Sequence, residues 1–346
     1  MNSVARMPAN ERAELFAETA DRKGLADAIV EKDFWVCWVL KQLFSIDVLL
    51  GRLLFKGGTS LSKIFHAINR FSEDIDLAVD YVALGFTGER DPRRAELSKT
   101  KRAALLAEMM IECQRYIGGE FLEALQSRCR EILGTNEAWS LEVSKQDPNV
   151  VQFRYPTASA KGLDYLNPKV VLELGTHAEF VPHDRFTIRS FAAEEFPNVV
   201  ADGDVAVVAL LAKRTFWEKA TILHAEYHRQ LEKPLPDRYS RHYYDVAMMA
   251  QGQIRTEALS DTELLAQVVR HKETFYPSGW AHYELARPGT LRLAPREERL
   301  AALERDYRNM GVMIFGEPPA FDSIMGTLAA LEQDINRADT ILATSK

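Results

Sequence analysis

Asp74 and Asp76 stand one residue apart in "DIDLAVD", and two glycines followed by two hydroxyl residues, "GGTS" at 57–60, precede them. Strand side chains alternate between faces, so a period-two reading sets Asp74, Asp76 and Ala78 on one face and Ile75, Leu77 and Val79 on the other. Carboxylates held side by side repel each other. A divalent cation turns that repulsion into affinity, and hard oxygen ligands suit magnesium. A solvated strand face that happens to carry two acids is the commoner origin of a lone Asp-x-Asp. The glycines add a second, independent signal. Gly57 and Gly58 end an apolar run and open a helical pattern, where backbone can approach a ligand and free N–H groups with the helix dipole favour a phosphate. Taken singly, the glycines suit an ordinary strand-to-helix turn equally well.

The elements that must position these groups are legible around them. Residues 11–46 carry helix-spaced apolar positions broken near Gly24, and "VLLGRLLF" runs into the glycines. "SLSKIFHAI" has helical spacing, "DIDLAVDY" alternates, and "WSLEVSKQ", "VQFRYPTA" and "KVVLELGT" are further strand candidates around a helical stretch at 98–134. From about Thr215 the patterns are helical: "TFWEKATILHAEYHRQL", "RHYYDVAMMAQ", "TELLAQVVRHKETF", "REERLAALERDYRNMGVMI" and "FDSIMGTLAALEQDINRA". The expected class is α+β, a mixed-sheet core with flanking helices and a helical C-terminal half. The expected domains are 1–200 for the core with its N-terminal helices and 201–346 for a mainly helical unit.

The run from Gly57 to Leu77 resembles the nucleotidyltransferase toxins of the AbiEii/AbiGii, or MenT-like, family within the polymerase-beta-like nucleotidyltransferase superfamily. The superfamily signature is Gly-Ser or Gly-Thr, a short helix, then Asp-x-Asp; here Gly58-Thr59 is followed by fourteen residues and Asp74-Ile75-Asp76. Longer and more specific strings extend the resemblance along most of the chain: "VEKDFWV" at 30–36, "RTFWEKATILHAEYHR" at 214–229, "RHYYDVAMMA" at 241–250 and "FYPSGWAHYELARPGTLRL" at 275–293.

The resemblance implies a magnesium-dependent enzyme that transfers a nucleoside monophosphate from a nucleoside triphosphate. Asp74 and Asp76 would hold the metal, and a third carboxylate is implied on a neighbouring strand. Alternation in "KVVLELG" sets Val171 and Glu173 against Val170, Leu172 and Leu174, so Glu173 is the candidate. A carboxylate within so apolar a strand needs a partner, and a structural ion pair would satisfy it equally well. The family pattern implies that Lys219 grips the triphosphate and that Asp245 lies close to the reacting groups. Without the resemblance, Lys219 reads as a solvated helix lysine and Asp245 as the i,i+4 partner of Arg241. The backbone of Gly57–Ser60 and the Thr59 or Ser60 hydroxyl would cradle outer phosphates. Arg70 and Ser72 are secondary phosphate candidates, although Arg70 suits a local cap or ion pair as well.

The implied acceptor is RNA, at the tRNA 3′ end, and the implied partner is a cognate antitoxin encoded nearby. Two stretches rich in Arg, Lys and His, "RDPRRAELSKTKRAA" and "HRQLEKPLPDRYSRHYY", fit phosphate contact, the second with interleaved tyrosines for base stacking. Trp280 and Arg287 suit the same groove, although a tryptophan more often packs in a core. A net charge of −7 argues against a general DNA-coating protein and confines any nucleic acid to a local basic surface. Three cysteines lack Cys-x-x-Cys spacing, which fits a reducing cytoplasm and neither a disulfide framework nor a zinc site. No apolar run is long enough to span a bilayer. Another acceptor, a protein hydroxyl or a small molecule, and a catalytically silent binding module are the competing readings.

Overall fold

The computed structural model describes residues 1–135, 138–158 and 167–344, with side chains to 337. By its contacts the chain divides into two compact units, Met1–Ile64 with Ser72–Leu210, and Phe65–Phe71 with Leu211–Lys346.

The first unit is built on one mixed sheet. Its strands are β1 (Leu53–Lys56), β2 (Asp74–Val79), β3 (Ser140–Val143), β4 (Val150–Arg154), β5 (Lys169–Gly175), β6 (His183–Ile188) and β7 (Val205–Leu210), in the spatial order β3-β4-β5-β2-β1-β7-β6. β2 runs parallel to β5 and antiparallel to β1, and β1 runs parallel to β7. The alternation expected for β2 is realised. Ile75, Leu77 and Val79 point into the main core with Val170, Leu172 and Leu174 of β5 and Val205, Val207 and Ala209 of β7.

The helix Asp27–Leu43 packs in that core. Its length is almost wholly buried, and Trp35 and Trp38 stack on Tyr155 and Phe153 at ring distances of 5.5 and 5.6 Å. The helix Ala9–Lys23 precedes it, and Gly24, in the left-handed region at φ +64°, provides the expected break. The expected helical stretch at 98–134 is present as Lys99–Tyr116 and Leu122–Leu133, joined through a π-helical turn at Ile117–Phe121.

Two features depart from the sequence expectation. β6 and β7 were not anticipated: "VAVVAL" is apolar at every position, so its period of two is invisible, and the polar edge strand "HDRFTI" alternates only over its last residues, Phe186 and Ile188. The helix expected over "SLSKIFHAI" instead occupies Gly57–Lys63, starting at the glycines and ending early. The residues beyond it belong to the second unit, where their backbone finds other partners: Phe71 N–H donates to Met313 O at 2.7 Å and Phe315 N–H to Asn69 O at 3.0 Å.

The second unit is helical apart from a short bridge between Arg70 and Ile314. Ala212–His228 packs against Ser240–Met249, Gln253–Leu259 and Thr262–Phe275, and Glu297–Met310 and Phe321–Thr344 pack against Ser240–Met249. Phe216, Trp217, Ala220 and Leu223 are fully buried, as the apolar stripe of "TFWEKATIL" requires.

Candidate active site

Gly57 begins the helix that follows β1 at φ +79°, a conformation L side chains rarely adopt. A Cβ added there would lie 1.8 Å from Asp76 Oδ2 and 2.5 Å from its Cγ. The turn is therefore glycine for two reasons, its backbone torsion and the carboxylate pressed against it. The strand register supplies the neighbours. Asp76 lies opposite Lys56 of β1 and Glu173 of β5, and Asp74 lies opposite Val171. Cross-strand partners share a face, with Cα atoms about 5 Å apart. Asp74 and Asp76 thus face the same way, half-buried, and Asp76 has a cation on one flank and a carboxylate on the other. Lys56 had no distinguishing signal in the sequence; alternation in "LLFK" pairs it with Leu54, but only the register brings it to Asp76.

Glu173 shares the face of Asp76 as expected, but it is exposed. Its exposure removes the burial that would demand a partner. Among the described residues, no group of three histidine, cysteine, aspartate or glutamate side chains is placed to hold a metal ion. Magnesium is commonly bound by one or two carboxylates with substrate phosphates and water completing the shell. The paired oxygen donors of Asp74 and Asp76 fit that mode.

The hydroxyls of "GGTS" turn inward. Thr59 and Ser60 are buried; Thr59 Oγ1 donates to the carbonyls of Asp74 and, at 3.3 Å, Ser72, while Ser60 Oγ donates to Gly57 O at 2.9 Å. The Thr59 bonds fasten the helix Gly57–Lys63 to the start of β2, and the Ser60 bond closes on that helix's own first residue. Ser72 takes part through its carbonyl.

Three consecutive charges on the helix Asp27–Leu43 complete the frame, and sequence reasoning missed them. Glu31, Lys32 and Asp33 are all buried. Glu31 accepts from Thr157 Oγ1 at 3.0 Å and from Ala158 N–H at 2.6 Å, beyond the end of β4. Lys32 pairs with Glu73, the residue before Asp74. Asp33 pairs with Lys63, the last residue of the glycine-turn helix, at 2.7 Å, and accepts from Phe191 N–H. Burial alone would lower the Lys63 pKa, but the charges of Asp33, Cys37 and Glu194 and the hydrogen bond to Asp33 together raise it, so the ammonium persists. The string "VEKDFWV" held the signal: three charges inside an apolar helix must each find a partner.

In the second unit, Asp245 is completely buried and takes two cations. Arg70 grips it in a bidentate pair, Nε to Oδ1 at 2.8 Å and Nη2 to Oδ2 at 2.9 Å, and Lys219 Nζ lies 3.0 Å from Oδ2. Burial would raise the carboxyl; the charges and hydrogen bonds of Arg70 and Lys219 outweigh it and hold Asp245 well below the usual carboxylate range. Neither bland reading survives. Lys219 is buried rather than solvated, and the partner of Asp245 is Arg70, distant in the chain, instead of Arg241 one turn away. Arg70 also bonds locally, its Nη1 donating to Phe71 O at 3.2 Å. It stands four residues before Asp74 in the chain. Trp280 is exposed rather than packed in a core.

A half-buried pair of aspartates against a glycine turn, on a mixed sheet with the chain order found here, is accompanied by a family model for the AbiEii nucleotidyl transferase toxin of type IV toxin–antitoxin systems, which matches residues 38–327. The chain belongs to the AbiEii nucleotidyltransferase toxin family. Its fold is also that of MenT4, a nucleotidyltransferase toxin from Mycobacterium tuberculosis H37Rv, with a TM-score of 0.51 and 17% sequence identity over 93% of this chain and 92% of that one. No curated protein matches the chain. The AbiEii assignment makes the protein a nucleotidyltransferase and the toxin of a two-component system whose other member is an antitoxin. Among the described residues, no helix is long and apolar enough to cross a membrane.

Proposed function

We propose that this AbiEii toxin transfers a nucleoside monophosphate from a nucleoside triphosphate to the 3′-hydroxyl of RNA, at the tRNA 3′ end, with release of pyrophosphate, in a magnesium-dependent reaction in the cytoplasm that blocks translation. The observation that carries the reading is the pairing of Asp74 and Asp76 on one strand face with the Gly57 turn pressed against Asp76. Asp74 and Asp76 would hold the cation, with Glu173 as an outer, assisting carboxylate. Magnesium bound there supplies Lewis-acid polarisation of the phosphate and acidifies the attacking hydroxyl. The backbone of the glycine turn admits the phosphates closely, since no Cβ intervenes. By the family resemblance Lys219 is the candidate cation for the triphosphate, and within its own unit Asp245 and Arg70 fix its position. A free 3′-CCA end is single-stranded and reaches such a site without duplex melting.

Purified toxin incubated with magnesium, each labelled nucleoside triphosphate in turn and total RNA should label tRNA. Asp74→Ala and Asp76→Ala should each abolish labelling while keeping the wild-type melting temperature, and excess EDTA should do the same. Oxidising the terminal ribose should block the product. Label on protein, or on no RNA with any nucleotide, would overturn the RNA acceptor and favour a protein or small-molecule hydroxyl.

A further inference from the structure

Of the five tryptophans, Trp35, Trp38 and Trp217 are fully buried and Trp139 is packed against the core, whereas Trp280 is 41% exposed. Exposing an indole forgoes the largest apolar burial any side chain offers, so the rest of its surroundings bear on what covers it. The Arg229 guanidinium carbon lies 5.9 Å from the Trp280 ring centroid, and Arg229, Gln230, Lys233 and Trp280 line a cavity of about 200 Å³. Among the described residues no carboxylate lines it. Arg229 Nε is buried and has no hydrogen-bond partner among the described residues, and its Nη1 is only in long contact with Glu226, at 3.5 Å. Lys233 is exposed. On the same helical rod, Tyr227 carries the guanidinium groups of Arg292 and Arg296 at 5.4 and 5.2 Å from its ring. An exposed indole flanked by Arg229 and Lys233 matches a ligand that alternates flat rings with anions.

We propose that Trp280, with Arg229 and Lys233, is a stacking platform for single-stranded nucleic acid, the indole taking one unpaired base and the two cations the adjoining phosphates. The proposal rests on the RNA-acceptor reading and names where the acceptor strand is gripped. Arg229 follows Lys219 by ten residues on and just beyond the helix Ala212–His228, about 15 Å at the helical rise of 1.5 Å per residue. That spacing lets a short strand touch the platform while its end reaches the vicinity of Lys219. Stacking on one ring tolerates any base, so the platform contributes affinity and little sequence preference. An acidic peptide would satisfy the cations but leave the indole face without a flat partner.

The test uses an RNA of about eight nucleotides ending in CCA, within the usual span of single-strand sites, titrated into the full-length protein while tryptophan emission is followed. Quenching is expected in wild type and should vanish in Trp280→Phe. Trp280→Ala should weaken binding about tenfold or more, and Arg229→Gln and Lys233→Gln should each weaken it and flatten its salt dependence. In transfer assays Trp280→Ala should raise KM for RNA and leave KM for the nucleoside triphosphate unchanged. Quenching that persists in Trp280→Phe, or RNA binding by Trp280→Ala within about twofold of wild type, where stacking predicts a larger loss, overturns the platform. So does quenching by an acidic peptide with none by RNA. A wild type that extends no RNA yet shows Trp280-dependent quenching overturns the acceptor reading and leaves the platform standing.

Discussion

Gly57 and Asp245 show how single residues are fixed by opposite constraints, one by the lack of a side chain and the other by charge. Replacing Gly57 with alanine puts a methyl group 1.8 Å from Asp76 Oδ2 in a backbone conformation that disfavours any Cβ. Because that oxygen belongs to a candidate metal ligand, relief of the clash must move either the helix start or Asp76. Gly57→Ala should therefore cost about 1–3 kcal/mol of stability and reduce transfer by far more than that loss of folded protein explains. Near-normal kcat/KM in a variant with a measured denaturation midpoint would refute the contact. Asp245→Asn leaves Arg70 and Lys219 buried around a neutral amide and should destabilise by about 3–5 kcal/mol. The folded-state pKa of Asp245 is depressed, so its contribution is fully present above the unfolded carboxylate value and is lost only as pH falls below it. Wild type and variant should accordingly differ by a constant amount in urea denaturation between about pH 6 and 8, with the gap narrowing toward pH 3. A gap that widens on acidification would show that another group sets it.

At the scale of elements, the helix Asp27–Leu43 serves as a buried strut with three charged anchors. Its partners Glu73 and Lys63 stand at the two elements of the candidate site, the start of β2 and the end of the glycine-turn helix. Asp33→Leu strips the countercharge from Lys63 and an acceptor from Phe191 N–H, and Lys63→Met strips it from Asp33. Each single change should cost about 3–5 kcal/mol, whereas the double variant should cost clearly less than their sum, because an apolar pair leaves no stranded charge. Additive losses in a double-mutant cycle would mean that the two residues do not act as a pair.

On the scale of the whole molecule, the chain crosses between its two units more often than its two-part texture suggests. Residues Phe65–Phe71 belong with the helical unit although both their flanks build the sheet unit. Their bonds run to Asp245, Met313 and Phe315, including Asn69 Nδ2 to Phe315 O at 2.7 Å. A chain stopped after Leu210 would lack Asp245, Met313 and Phe315, to which Arg70, Phe71 and Asn69 are bonded. It should be poorly soluble or be cleaved by limited proteolysis within 65–71, where the full chain resists. A truncated protein that melts cooperatively at the full-length temperature and resists cleavage there would show that this segment needs no partner.

The sequence alone determined the local properties. Period-two alternation put Asp74 beside Asp76 and Glu173 on the face of Val171, helical spacing laid out the C-terminal helices, and the glycines announced a turn, since each depends only on neighbours a few residues away. Tertiary structure decided what depends on register and long-range pairing. It brought Lys56 to Asp76, left Glu173 exposed, turned Thr59 and Ser60 inward, ended the helix at Lys63, and closed Arg70 and Lys219 on Asp245. The physical reason is that a charge or hydroxyl in a strand or helix fixes only that it needs a partner or water. Which one it receives is settled by which distant backbone is packed beside it, and no local pattern encodes that.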